Sequence, residues 1–169
     1  MKKIEGFEDV NVESGLGKGI YTVRVISVKD ISEKEYLEIK FDVCEGQDAG
    51  IFRRLCNNDI SQWSFQGIYR ASYKPTAVKF FKQFTTSVEK SNTGYVWDWN
   101  EQSLVGKVFV AVFDEEEYQK KDSDEITVSV KLRDVRSTEA LREGKIKLPG
   151  LKKLKVKEKE PEVSQGFNV

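Results

Sequence analysis

Few of the residue types that perform covalent chemistry are present in this chain of 169 residues. It has no histidine and only two cysteines. Ser-His-Asp and Cys-His nucleophilic sites are thereby excluded, as is every metal site that needs an imidazole. Two thiols cannot complete a structural zinc site. Nor are they expected to pair. With residues 36–56 read as a hairpin turning near Gly46-Gln47, Cys44 and Cys56 fall several positions out of register, beyond disulfide reach. One carboxylate run, Asp114-Glu115-Glu116-Glu117, has the donors to hold Mg²⁺ for phosphodiester cleavage. Consecutive residues leaving a strand point in different directions, however, and no second acidic motif joins them at a useful spacing. A solvated loop is expected instead. Gly15-Leu16-Gly17-Lys18-Gly19 has the glycines of a phosphate loop but precedes a strand, and Ile20 follows where Ser or Thr is needed. It reads as a turn. No catalytic residue, metal or cofactor is expected.

The sequence is richer in flat rings and cations. Aromatic residues make up 11% of the chain, more than the apolar stripes described below require. The surplus gathers in residues 63–73 and 95–99. Holding a single nucleic-acid strand needs rings for bases to stack on and cations to follow the backbone. Candidates are Trp63, Tyr69, Arg70, Tyr73, Lys74 and Trp97 within or beside those segments. Arg24, Tyr36, Lys40, Arg53 and Arg54 are added from the early strands, and Tyr118, Lys120 and Lys121 from the acidic loop. Each has a plainer reading. Trp63 and Phe65 would equally cover an open end of a barrel, and Tyr95, Trp97 and Trp99 would pack over a helix. Lys131 and Arg133 are weaker candidates, since outward lysines on a strand are usually only solvated.

Periodicity supplies the elements that must position these residues. Tyr21, Val23 and Val25 alternate with Thr22 and Arg24; the apolar phase then slips to Ile26 and Val28, which predicts a bulge near Val25-Ile26. Leu37, Ile39, Phe41 and Val43 form the inner face of a second strand. A turn over residues 45–50 leads to an expected third strand at Ile51–Cys56. Pro75 suits a helix start. Ala77, Phe81, Phe84 and Val88 then make one helical stripe, widened by Phe80, that ends near Asn92 and Gly94. Residues 106–113 and 125–135 complete the set, the last with Ile126, Val128, Val130 and Leu132 inward. The order strand, strand, strand, helix, strand, strand predicts a mainly β chain. It is the order of a five-stranded OB-type Greek-key barrel with one helix between strands three and four, plus flexible termini. The expected division is a lead-in over 1–18, the barrel over 19–140, and a lysine-rich extension and tail over 141–169.

Formal charge is zero, with 28 basic and 28 acidic residues, which disfavours simple electrostatic wrapping of duplex DNA. Between residues 141 and 160 eight Lys/Arg face three Glu. No apolar run approaches the ~18 residues of a membrane span, and the first residues lack the apolar stretch of a signal peptide. A cytoplasmic location and no membrane partner are expected.

Several stretches recur together in one family: GIYTVRVISV, YLEIKFDVCEGQDAGIF, YKPTAVKFFKQF with SNTGYVWDWNE, LVGKVFVAVFDEEEY and IKLPGLKKL. Spanning roughly residues 19–154, they make the chain resemble single-stranded-DNA-binding proteins encoded by phages of Gram-positive bacteria. The resemblance implies an OB fold, no cofactor, and a place beside phage replication or recombination genes. It implies single-stranded DNA as ligand, with replication or recombination proteins of phage or host as further partners. A homodimer would cover edge strands and surplus rings. The familiar acidic ending with Pro-Phe is replaced here by Ser164-Gln165-Gly166-Phe167-Asn168-Val169.

Overall fold

The computed structural model describes residues 1–9 and 14–155. The chain is mainly β. Strands β1 (Gly19–Ile31), β2 (Tyr36–Val43), β3 (Ile68–Ser72), β4 (Val108–Gln119) and β5 (Ile126–Arg136) form one sheet in the order β3-β2-β1-β4-β5, every neighbouring pair antiparallel. The bulge expected in β1 is present, between Val25 and Ser27. It lets one strand keep Val23 and Val25 inside on one side of the kink and Val28 inside on the other.

Residues 51–56 are not a strand. They form a short helix, α1 (Ile51–Leu55). The cause is a carboxylate distant in sequence: Asp42, buried on β2, accepts the N–H groups of Phe52 (2.9 Å) and Arg53 (3.1 Å). Donors at a helix start have no partner within the helix, and Asp42 supplies one from outside. Gly50, at φ 79°, makes the entry. Cys56 closes this helix and Cys44 follows β2; both are free thiols, though the hairpin that set their expected register does not exist. The third strand is Ile68–Ser72 instead, inside the aromatic-rich stretch.

Phe41 centres the core, its ring 6.0 Å from Phe52, 5.5 Å from Phe109 and 6.3 Å from Phe113. These edge-on and tilted contacts are the favoured arrangements of aromatic quadrupoles. Helix α2 (Val78–Ser91) buries Phe81, Phe84 and Val88 as its periodicity predicts, and packs against β3, β4 and β5. Asn92 fastens its end: Nδ2 donates to the carbonyls of Val88 and Val108, and Oδ1 accepts the Val108 N–H. Phe80 does not widen the core stripe. It is 63% exposed, although its neighbour Phe81 is buried. A last short helix, α3 (Thr138–Arg142), lies beside α2.

Both ends of the segment expected over 19–140 differ from expectation. Leu16 belongs to the core, so the lead-in is not loose up to residue 18. The acidic run is no loop: β4 continues through it to Gln119, while Ile126 and Val128 on β5 face solvent. Beyond Phe113, β4 has passed the start of β1 at Gly19 and would present a bare edge. Residues 150–154 cover it. Lys152 donates to the Glu115 carbonyl and accepts the Glu117 N–H, a short parallel bridge. Arg133 Nη1 donates to the carbonyls of Glu115 and Gly150, and Gly150 N–H donates to Asp114 Oδ2 at 2.7 Å. Part of the expected lysine-rich tail is thus a strap; residues 156–169, including Phe167, lie outside the described residues.

Asp114 anchors that strap. Above all the N–H of Glu115 holds its carboxyl below the usual carboxylate range, against the opposing effect of burial. The Gly150 N–H and the charges of Lys18 and Arg133 act in the same direction. A depressed carboxyl stabilises the fold when ionised, so its contribution is complete above the unfolded value near ~4. It is lost as pH falls through the lower folded value. The Gly150 amide proton resonance should therefore titrate only below about pH 4, and Asp114→Asn should abolish that titration. A Gly150 resonance indifferent to pH in the unaltered chain would rule the anchor out.

Candidate nucleic-acid interface

Strands β3 and β5 are the two edges of the sheet, and a turn at residues 65–67 brings them together. Gln66 is the fastener. Its Oε1 accepts the Leu16 N–H at 3.0 Å, and its Nε2 donates to the carbonyls of Leu16 and, at 3.0 Å, Val130 on β5. With Gln66 committed inward, its neighbour Phe65 is left 83% exposed.

Phe65 lines one end of a cleft of about 500 Å³ between the edges, shared with Tyr69 and Arg70 of β3 and Lys131 and Leu132 of β5. Tyr69, Arg70 and Leu132 also line a second hollow of about 370 Å³, which reaches Phe80 and Gln83 on α2. Gln83 in turn borders a third, of about 480 Å³, between α2 and α3. There Lys79, Lys82, Lys90, Arg136 and Lys145 face only Glu139 and Glu143. Shared residues make these hollows one continuous path. Exposed rings stand along it at Phe65 and Phe80, and cations follow throughout.

The floor includes a neutral ring. The Tyr69 ring packs on Phe84, centroids 5.2 Å apart. Burial, helped by the charge of Asp134, pushes its phenol up to about 12. Asp134 is the carboxylate of the middle hollow, and it is occupied: Gln83 Nε2 donates to it at 3.2 Å and the Val135 N–H at 2.8 Å, with Arg136 at 3.9 Å. Arg70 is exposed, its guanidinium 5.5 Å above the Tyr36 ring on the outer face of β2. This contact joins the cleft to that face. Lys131 Nζ lies 5.6 Å over the Tyr118 ring. Ser129 Oγ, on β5, is buried without a hydrogen-bond partner among the described residues, a demand that folded proteins seldom leave unmet.

The residues singled out from the sequence separate in space. Tyr69 and Arg70 are in the cleft, with Tyr36 beside Arg70. Lys40, also on β2, donates to the Ile60 carbonyl at 3.3 Å. Arg24 donates to the Gly106 carbonyl on the far flank of β1. Arg53 and Arg54 ride on α1 rather than on a strand, and Arg54 Nη1 donates to the Ala49 carbonyl. Trp63 is enclosed in the core. It is 8% exposed, its ring packs near Phe52, and its Nε1 donates to the carbonyls of Phe41 and Gly67. A ring enclosed in the core offers no face to a base. Lys74 is exposed just ahead of α2. Tyr73 and Trp97 belong to a different pocket, treated below. Lys120 pairs with Glu125 at 3.5 Å, and Lys121 is exposed in the β4–β5 loop.

Phe65, Phe80, Lys79, Lys82, Lys90 and Arg136 were not among the candidates. No signal in the sequence marked Phe80, because adjacent positions on a helix can both be buried, as Phe84 and Thr85 are here. Among the described residues no group of three or more Cys, Asp or Glu is arranged to hold a metal ion, and no helix is long and apolar enough to cross a membrane. Neither the protein-family models nor the curated proteins compared with this chain give a match.

Proposed function

We propose that this protein binds single-stranded DNA with little sequence preference and catalyses no reaction. The strand would lie in the path between β3 and β5 and continue along α2. The observation that carries this reading is the alternation along one path of exposed rings, Phe65 and Phe80, with Arg70, Lys131 and the lysines of α2. Rings take bases of any identity and cations take phosphates. The sheet order, with its first and last edges tied by Gln66, is compatible with an OB-type barrel opened between strands three and five, a fold used for oligonucleotides. The resemblance to phage single-strand binders favours the same ligand, the cytoplasm of an infected bacterium as the location, and replication or recombination proteins as companions.

The test is anisotropy of labelled oligo-dT of about 16 nucleotides, beside a duplex of equal length, over a salt series. Oligo-dT should bind at least tenfold tighter than the duplex. Its logarithmic salt slope should be about −3 to −4, corresponding to roughly five phosphates at ~0.7 each. Failure to bind oligo-dT at low salt would end the proposal. Cleavage of the oligonucleotide on adding Mg²⁺ would replace it with a nuclease.

A further inference from the structure

A separate pocket of about 400 Å³ shares no lining residue with that path. Its walls are aromatic. Trp99 stacks over Phe81 with centroids 6.4 Å apart and planes 19° from parallel, and Trp97 meets both rings at 5.9 Å. Tyr73 stands edge-on to Phe81 at 6.2 Å. The charged residues that line it, Asp30 and Glu101, are both carboxylates. Tyr73 donates to Asp30 Oδ1 at 2.7 Å. That bond first, then burial and the charges of Asp30, Glu35 and Glu33, push the Tyr73 phenol up to about 12. The field here is negative, the wrong sign for a phosphate backbone.

The loop that builds the pocket holds one of its rings outward. Trp99 sits at φ 66°, a region bulky side chains avoid and in which strain gathers at ligand clamps. Hydrogen bonds keep it there. Asp98 Oδ1 accepts the Asn100 N–H, Asn100 Oδ1 accepts the Gln102 N–H, and Glu89 accepts the Trp97 N–H at 3.0 Å. The result is an indole 78% exposed above two carboxylates. Trp97 Nε1 is buried with no acceptor among the described residues.

The geometry points to this pocket as a docking site for a basic protein segment, one arginine or lysine side chain entering between Tyr73, Trp97 and Trp99 with its charge against Asp30 and Glu101. Ring faces attract cations, more strongly where water is excluded, and the carboxylates set the sign. Since the DNA path lies elsewhere, a bound strand and such a partner can be held together.

The probe is Ac-Leu-Arg-Leu-NH₂, titrated into the full chain while the indole N–H resonances of Trp97 and Trp99 are followed. Ac-Leu-Gln-Leu-NH₂ and oligo-dT are run beside it. The arginine peptide should shift both indoles saturably, with roughly fivefold weaker binding in Asp30→Asn and no detectable binding in Trp99→Ala. Asp30 and Trp99 are both exposed, and unchanged core amide resonances would verify that each variant folds. Equal shifts from the glutamine peptide, or none from either, would overturn the site. So would an oligo-dT shift of the Trp99 indole matching that of the arginine peptide, which would give the pocket to the strand.

Discussion

Replacing Phe65 and Phe80 together with alanine should weaken oligo-dT binding by about 30-fold or more while leaving the fold intact. Each base stacked on a ring contributes roughly 1–3 kcal/mol by alanine substitution. Two such losses at the low end give a factor of about 30, and in mid-range about 1,000. Both rings are largely exposed, 83% and 63%, so their removal opens no cavity, and thermal denaturation should move by no more than a few degrees. Arg70→Ala should act differently. It would remove a proposed phosphate partner along with the cation above Tyr36, so the salt slope should flatten by about 0.7. Anisotropy and a melting curve on the same samples separate the two effects. A double variant that binds like the unaltered chain would move the strand out of the cleft, and the outer face of β2 with Tyr36 and Lys40 would become the path to test.

Gly67→Ala should cost about 3 kcal/mol of stability, near the upper end for forced overpacking. An added Cβ would meet Trp63 Nε1 at 2.6 Å and Phe52 Cδ2 at 2.8 Å, distances no real contact adopts. The neighbour cannot simply yield. The same indole nitrogen is shared between the carbonyls of Phe41 and Gly67, and moving it breaks those bonds. For a chain of this size the loss corresponds to a drop of roughly 10 °C in Tm. Gly46→Ala provides the contrast: φ is 81° but nothing lies within 4 Å, so only backbone strain of about 1 kcal/mol is expected. A Gly67 variant no less stable than the Gly46 variant would show that the turn relaxes freely.

What could be read from the sequence was local and periodic. The bulge in β1 announced itself as a phase slip between Val25 and Ile26, and the α2 stripe as repeated i, i+4 and i+7 spacings. What escaped was decided by residues far apart. Ile51–Leu55 has the apolar content of a strand but becomes α1 because Asp42, ten positions earlier, caps it. β3 was hidden because its five residues carry one fully buried position, Ala71, too few for alternation to register. The path is further still from view. It exists only where the turn at Phe65, the α2 face of Phe80 and the β5 edge converge, and no single window contains all three. The same holds for the acidic run, whose purpose becomes visible only with residues 150–154 against it.

The sheet also has a history written into its order. β1 is the first strand in the chain, yet it lies at the centre of the sheet. It pairs on one side with β2, the strand just after it, and on the other with β4, about ninety positions later, a separation that makes closure slow. During synthesis the early hairpin must therefore wait with its other edge unsatisfied until Val108–Phe113 has been made. The strap over β4 comes later again. For that interval the nascent chain exposes an open strand edge and the ring of Phe41, the conditions under which partly folded chains associate with one another.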